Sequence, residues 1–118
     1  MSKLRRMSRI FHEDGNSISL ALDGFNFSTN TAGIDKTVRM LPELVNAGLD
    51  SVLVTYGMAK KFEDAFKKVG LVIRVDLSTE IFDPEVPDTL DVFGIEEALT
   101  LGADGVVCMT FPGAVTVN

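Results

Sequence analysis

The sequence predicts an α/β fold built on a parallel sheet. Three observations support it: four short apolar segments have strand character, helical patterns separate them, and an internal repeat twice places a helix end before a strand. Parallel neighbours need a crossover of a dozen or more residues, so strands alternating with helices imply βαβ units.

Residues 1–9 carry Lys3, Arg5, Arg6 and Arg9 with no apolar stretch behind them, and Glu13 and Asp14 follow at once. A solvated leading helix is preferred here over an organelle-targeting one. Residues 17–22 mix small and branched side chains and stop at Asp23-Gly24, which predicts a mostly buried first strand ended by a turn. Over 34–47, Ile34, Val38, Leu41 and Val45 recur on one helical face, with Gly48 as C-terminal cap. Pro42 lacks a helical N–H and is expected to kink that helix or split it in two.

The continuous apolar run 51–56 predicts a strand buried on both faces. A short helix over 58–68 follows, with Phe62, Ala65 and Phe66 on one face and lysines and acids on the rest. Residues 71–75 form a third strand, and 77–93, with Pro84, Pro87 and several acids, reads as a long exposed loop. A helix over 95–101 ends at Gly102, and 105–111 is the fourth strand before Pro112-Gly113. Ala47-Gly48-Leu49-Asp50-Ser51-Val52 recurs 54 residues later as Leu101-Gly102-Ala103-Asp104-Gly105-Val106. An offset of two βα units is what alternate strands of a barrel produce.

Composition narrows the function classes. With 118 residues, 46% apolar and 24% charged, the chain is one globular domain or part of one. Its net charge of −6 gives no electrostatic footing on nucleic acid or an anionic membrane. Neither is expected as a partner. One cysteine, Cys108, allows no internal disulfide and points to a reducing cytoplasm. Cys108 lies beside Val106 and Val107 in the fourth strand and reads as a small core residue, not a nucleophile. His12 has no second His or Cys at ligand spacing, so a surface histidine is expected and no metal. No glycine-rich phosphate cradle and no G-x-S-x-G occurs.

In parallel sheets ligands sit beyond the carboxyl ends of the strands, which singles out Asp23, Thr55, Tyr56, Arg74, Asp76 and Thr110. Asp23 ends an apolar strand and opens a polar loop; a site role and a turn or cap role both fit. Arg74 and Asp76 share one face of an extended strand, where they pair with each other or bind a polar ligand. Tyr56 is either a proton donor at a strand end or an aromatic ring tucked under a loop.

The stretches 3–11 and 14–15, then Leu20-Ala21-Leu22-Asp23, Thr55-Tyr56-Gly57-Met58-Ala59, residues 71–76, Ile95-Glu96-Glu97-Ala98-Leu99, residues 101–107 and Phe111-Pro112-Gly113-Ala114 together resemble the archaeal-type, DhnA-like class I fructose-bisphosphate aldolases. That family lies within a wider group that also acts on deoxyribose phosphate and tagatose bisphosphate. The resemblance covers the whole chain and implies the amino-terminal half of a (β/α)8 TIM barrel, a single partial domain over 1–118. It implies lyase chemistry on a sugar phosphate, in which a lysine amine forms a Schiff base with the substrate ketone and no cofactor or metal takes part.

By the same resemblance Asp23 is the strand-1 aspartate that orients substrate hydroxyls and the lysine; Tyr56, Arg74 and Asp76, from their place at the strand ends alone, are weaker substrate-binding candidates. The family often has His after that aspartate, whereas this chain has Gly24. The family's Schiff-base lysine belongs to strand 6, so this chain alone is expected to lack it and to be inactive, and a homo-oligomer is expected to cover the open sheet. Two alternatives stand beside this: a non-catalytic half-barrel assembly module, and a small doubly wound receiver-like domain. The latter needs an acid pair after strand 1, where Asp23 is followed by Gly24.

Overall fold

The computed structural model describes residues 2–24, 33–78, 89–110 and 112–113. Helix α1 (Ser2–Ile10) leads into strand β1 (Ser19–Ala21), helix α2 (Ile34–Asn46), strand β2 (Ser51–Thr55) and helix α3 (Tyr56–Lys61). A 3-10 turn (Glu63–Phe66) then precedes strand β3 (Gly70–Arg74), strands β4 (Asp76–Ser78) and β5 (Thr89–Asp91), helix α4 (Ile95–Thr100) and strand β6 (Gly105–Val107). The main sheet has the order β1-β2-β3-β6, parallel throughout, with Ser19 level with Ser51 and Gly70, and Val72 level with Gly105. The expected parallel α/β fold is what forms.

Several expectations need correction. The first strand is not mostly buried: Ser19 and Ala21 are exposed because β1 is an outer strand of the sheet. Pro42 does not split α2, which runs continuously through it; only one helical N–H is missing there. The helix expected over 58–68 starts earlier and breaks at Phe62 into α3 and the 3-10 turn, with Phe66 still buried. The stretch 77–93 is not all loop, since β4 and β5 pair antiparallel, Leu77 opposite Leu90; residues 79–88 lie outside the described residues. The fourth strand stops at Val107, short of Phe111, which also lies outside them.

Alternation along β2 and β3 sorts side chains to two faces. Val52, Val54, Leu71 and Ile73 bury against Val38 and Leu41 of α2, Met58 and Ala59 of α3, and Phe66, forming the core between sheet and helices. Leu53, Val72 and Arg74 therefore face the opposite side. At about 25 cal/mol per Å2 of apolar surface removed from water, each buried branched side chain contributes about 1.5–3 kcal/mol.

The internal repeat has a structural identity. After α2, Gly48 at φ 115° donates to Val45 O and Leu49 donates to Leu44 O; after α4, Gly102 at φ 83° donates to Leu99 O and Ala103 to Ala98 O. Both are Schellman endings, which need a left-handed residue and so favour glycine. The following aspartates do the same work. Asp50 bonds Ile18 through both its backbone N–H and its Oδ2 (2.9 and 2.8 Å), and Asp104 bonds Leu71 likewise (2.7 and 3.0 Å). Each clasps the start of its strand to the neighbouring one. Glycines at the starts of β3 and β6 let α1 pass beneath: a Cβ on Gly70 would collide with the Arg9 carbonyl, and one on Gly105 would crowd Ile10.

Candidate functional site

At the carboxyl end of the sheet β1 gives way to Asp23, β2 to α3, β3 to Asp76, and β6 to Met109. Arg74 ends β3 on the face away from the helical core. A guanidinium there is only 4% exposed, so it needs countercharge. Two carboxylates supply it: Asp23 Oδ2 lies 2.7 Å from Arg74 Nη1, and Asp76 Oδ1 lies 3.1 Å from Arg74 Nε. Asp23 and Asp76 are themselves 6% and 1% exposed.

Asp76 is anchored from a second side, its Oδ2 accepting the Met109 N–H at 3.0 Å. Val75 N–H, between the two charged residues, donates to Val107 O at 3.1 Å. Together these bonds extend the β3–β6 pairing past the regular strands and fix the Arg74–Val75–Asp76 segment. Among the charged side chains of this cluster, two carboxylates meet one guanidinium, which leaves an excess of negative charge. Such a site favours hydroxyl donors and a developing cation.

Of the residues singled out from the sequence, Asp23, Arg74 and Asp76 thus come together. Tyr56 takes a different partner: its ring stacks on Phe93, centroids 4.1 Å apart and 7° from parallel. Thr55 is buried and caps α3, its hydroxyl accepting the Met58 N–H at 3.2 Å. Thr110 is exposed. His12 is exposed, its Nδ1 3.7 Å from Asp50 Oδ1 at the amino end of the sheet.

The expectation of Cys108 as a core residue is overturned. β6 ends one residue before it, and its side chain is exposed. Partial burial, then the Asp91 and Asp76 carboxylates, push its thiol above the ordinary range. Sequence reasoning placed Arg74 with Asp76 but missed its bond to Asp23. The signal was present: an arginine inside the apolar run 71–75 requires an acid at the same height in the sheet.

The family model described as DeoC/LacD family aldolase matches residues 11–114. The chain is 35% identical over 107 residues to 2-amino-3,7-dideoxy-D-threo-hept-6-ulosonate synthase 1 of Archaeoglobus fulgidus, covering 90% of this chain and 40% of that protein. It is 30% identical over 114 residues to fructose-bisphosphate aldolase class 1 of Thermoproteus tenax, covering 90% and 41%. The chain thus spans about two fifths of the length of these curated relatives. A solved Schiff-base-forming fructose-1,6-bisphosphate aldolase superposes with a TM-score of 0.72 at 29% identity, over 94% of this chain and 45% of that one. An archaeal fructose-1,6-bisphosphate aldolase with its catalytic lysine bound to the carbinolamine intermediate gives 0.71 at the same identity and coverage.

Proposed function

The chain belongs to the DeoC/LacD aldolase family, and from that premise we propose that it supplies the amino-terminal half of a class I, Schiff-base-forming aldolase site for a sugar phosphate such as fructose 1,6-bisphosphate. The observation that carries this reading is the buried Asp23–Arg74–Asp76 cluster at the carboxyl rim, on the sheet face away from the helices.

In Schiff-base aldol cleavage an amine adds to the substrate ketone, water leaves, and the resulting iminium accepts the electron pair of the breaking C–C bond. Asp23, held by Arg74, accepts a hydrogen bond from a substrate hydroxyl, and the surplus carboxylate favours the cationic iminium over the neutral ketone. Arg74 and Asp76 act in this reading by fixing Asp23, with Tyr56 as a substrate contact at the rim. The amine comes from elsewhere. Lys3, Lys36, Lys60, Lys61, Lys67 and Lys68 are all exposed on or beside helices, where a hydrated ammonium is a poor nucleophile. The alternative is a half-barrel that assembles without catalysis. We take the unit to be a homo-oligomer, and a cytoplasmic one in keeping with the single cysteine.

The test is a chimera in which residues 11–114 replace the matching segment of the Thermoproteus tenax aldolase. Cleavage of fructose 1,6-bisphosphate, with a borohydride-trapped adduct seen by intact mass, supports the reading. A folded chimera that neither cleaves nor traps substrate overturns it in favour of the assembly module.

A further inference from the structure

We propose that Phe93 is a positioning residue: stacked on Tyr56, it holds the Arg74–Val75–Asp76 segment at the carboxyl rim and, through it, the pair between Arg74 and Asp23. The catalytic consequence rests on the aldolase reading above; the positioning itself does not.

The contacts close into a ring between β2 and β3. Thr55, the last residue of β2, is level with Arg74, the last of β3. Tyr56 follows as the first residue of α3, and its ring lies on Phe93, centroids 4.1 Å apart and 7° from parallel. Phe93 returns to the end of β3 through its backbone. Its N–H and that of Val92 both donate to Val75 O, at 3.1 and 2.9 Å, and Val75 is the residue after Arg74. The ring of contacts therefore runs from Tyr56 through Thr55, Arg74, Val75 and Phe93 back to Tyr56.

The hairpin that this ring anchors shows why the stack is needed. β4 and β5 pair over Asp76–Ser78 and Thr89–Asp91, and the pair at the base sets Asp76 opposite Asp91. Like charges directly opposite weaken an antiparallel ladder, and a two-stranded ribbon is marginal by itself. Asp76 is nevertheless required at this place: it is buried, its Oδ1 lies 3.1 Å from Arg74 Nε, and its Oδ2 accepts the Met109 N–H at 3.0 Å. The base of the hairpin thus carries a repulsion that serves the cluster, and its hold must come from beside the ladder. The aromatic pair and the shared Val75 acceptor lie there, just past Asp91.

Two stacked rings cannot slide apart without losing contact area, so the stack limits how far Phe93 moves over the rim. Without it the bonds to Val75 O loosen, Asp76 loses its fixed distance from Arg74, and Asp23 loses a stationary guanidinium. Displacing an orienting group by about 1 Å costs up to about 10²-fold in rate.

The test reads amide hydrogen exchange by NMR in the 118-residue chain carrying Phe93→Leu, Tyr56→Leu or the conservative Phe93→Tyr. The Val75 and Met109 N–H groups bond Val107 O and Asp76 Oδ2, whereas those of Ile18 and Leu71 bond the Asp50 and Asp104 carboxylates at the other end of the sheet. Both leucine variants should speed exchange at Val75 and Met109 by about tenfold or more and leave Ile18 and Leu71 within about twofold, the signature of local rather than global opening. Phe93→Tyr should keep the native rates. In an active 11–114 chimera Phe93→Leu should lower kcat about tenfold with KM within about threefold, and Phe93→Tyr should restore it. Equal acceleration at all four amides, unchanged exchange at Met109, loss of folding in both leucine variants, or an unchanged kcat in an active chimera would each overturn the proposal. A chimera inactive before mutation defeats the aldolase reading alone, and the four amides then decide the positioning.

Discussion

Arg74 reaches across the sheet to Asp23, Nη1 to Oδ2 at 2.7 Å, joining residues 51 positions apart in the chain. β2 lies between their strands. The bond exists because parallel pairing brings the carboxyl ends of β1 and β3 to the same rim, where Arg74 ends β3 and Asp23 lies just past β1.

Replacing Arg74 with Met leaves two buried carboxylates facing one another without their cation. Breaking a buried pair by removing one partner typically costs about 3–5 kcal/mol, and urea melts at neutral pH should show a loss of that order. Arg74→Lys should lose less, about 1–3 kcal/mol, because one ammonium cannot serve Nη1 and Nε positions that point to different acids. A loss below about 1 kcal/mol in Arg74→Met would show that the cluster is solvated.

Much of the fold was legible because each strand is a short apolar run beside a helix with its own stop signal. Gly48 and Gly102 marked the two helix ends correctly, and both take the left-handed conformation that a Schellman ending requires. The site was legible only in part. Arg74 and Asp76 share a face by local alternation, but the Asp23 bond depends on strand order, which no local pattern carries. Cys108 misled for a related reason: its run of apolar neighbours reads as strand, yet regular pairing with β3 ends at Val107. The β4–β5 pairing joins Asp76 to Asp91 and has little apolar alternation to betray it.

Gly70 is required by close approach rather than by backbone conformation. A methyl group there meets the Arg9 carbonyl and comes within 3.1 Å of Asp50 O, both backbone atoms that cannot swing aside. Gly70→Ala should cost about 1–3 kcal/mol as an overpacking change, and should loosen the 2.9 Å pair between Arg9 and Asp104. Gly57→Ala is the control, since it lies in α3 with nothing within 4 Å of an added Cβ. It should be neutral or stabilising by up to about 1 kcal/mol. Equal denaturation midpoints for the two variants would contradict the placement of α1.

Cys108 should alkylate slowly for an exposed thiol. Partial burial and the carboxylates of Asp91 and Asp76 raise its pKa, so at pH 8 the folded protein holds less thiolate than the unfolded chain. Iodoacetamide labelling should be slower in the native protein than in urea, and the gap should narrow as pH rises above the shifted value. Asp91→Asn should speed native labelling. A native rate equal to or above the unfolded one at pH 8 would contradict this environment.

In the proposed aldolase site Asp23 is a working group, and Arg74 and Asp76 hold it in place. The most direct measurement is kcat/KM for fructose 1,6-bisphosphate in the 11–114 chimera with and without Asp23→Ala. A fall of about 10²- to 10⁴-fold is expected, the range for a positioned acid–base or orienting group, with borohydride trapping also reduced. A change below about fivefold in a chimera that remains folded and active would make Asp23 a structural end to β1 and contradict the claim.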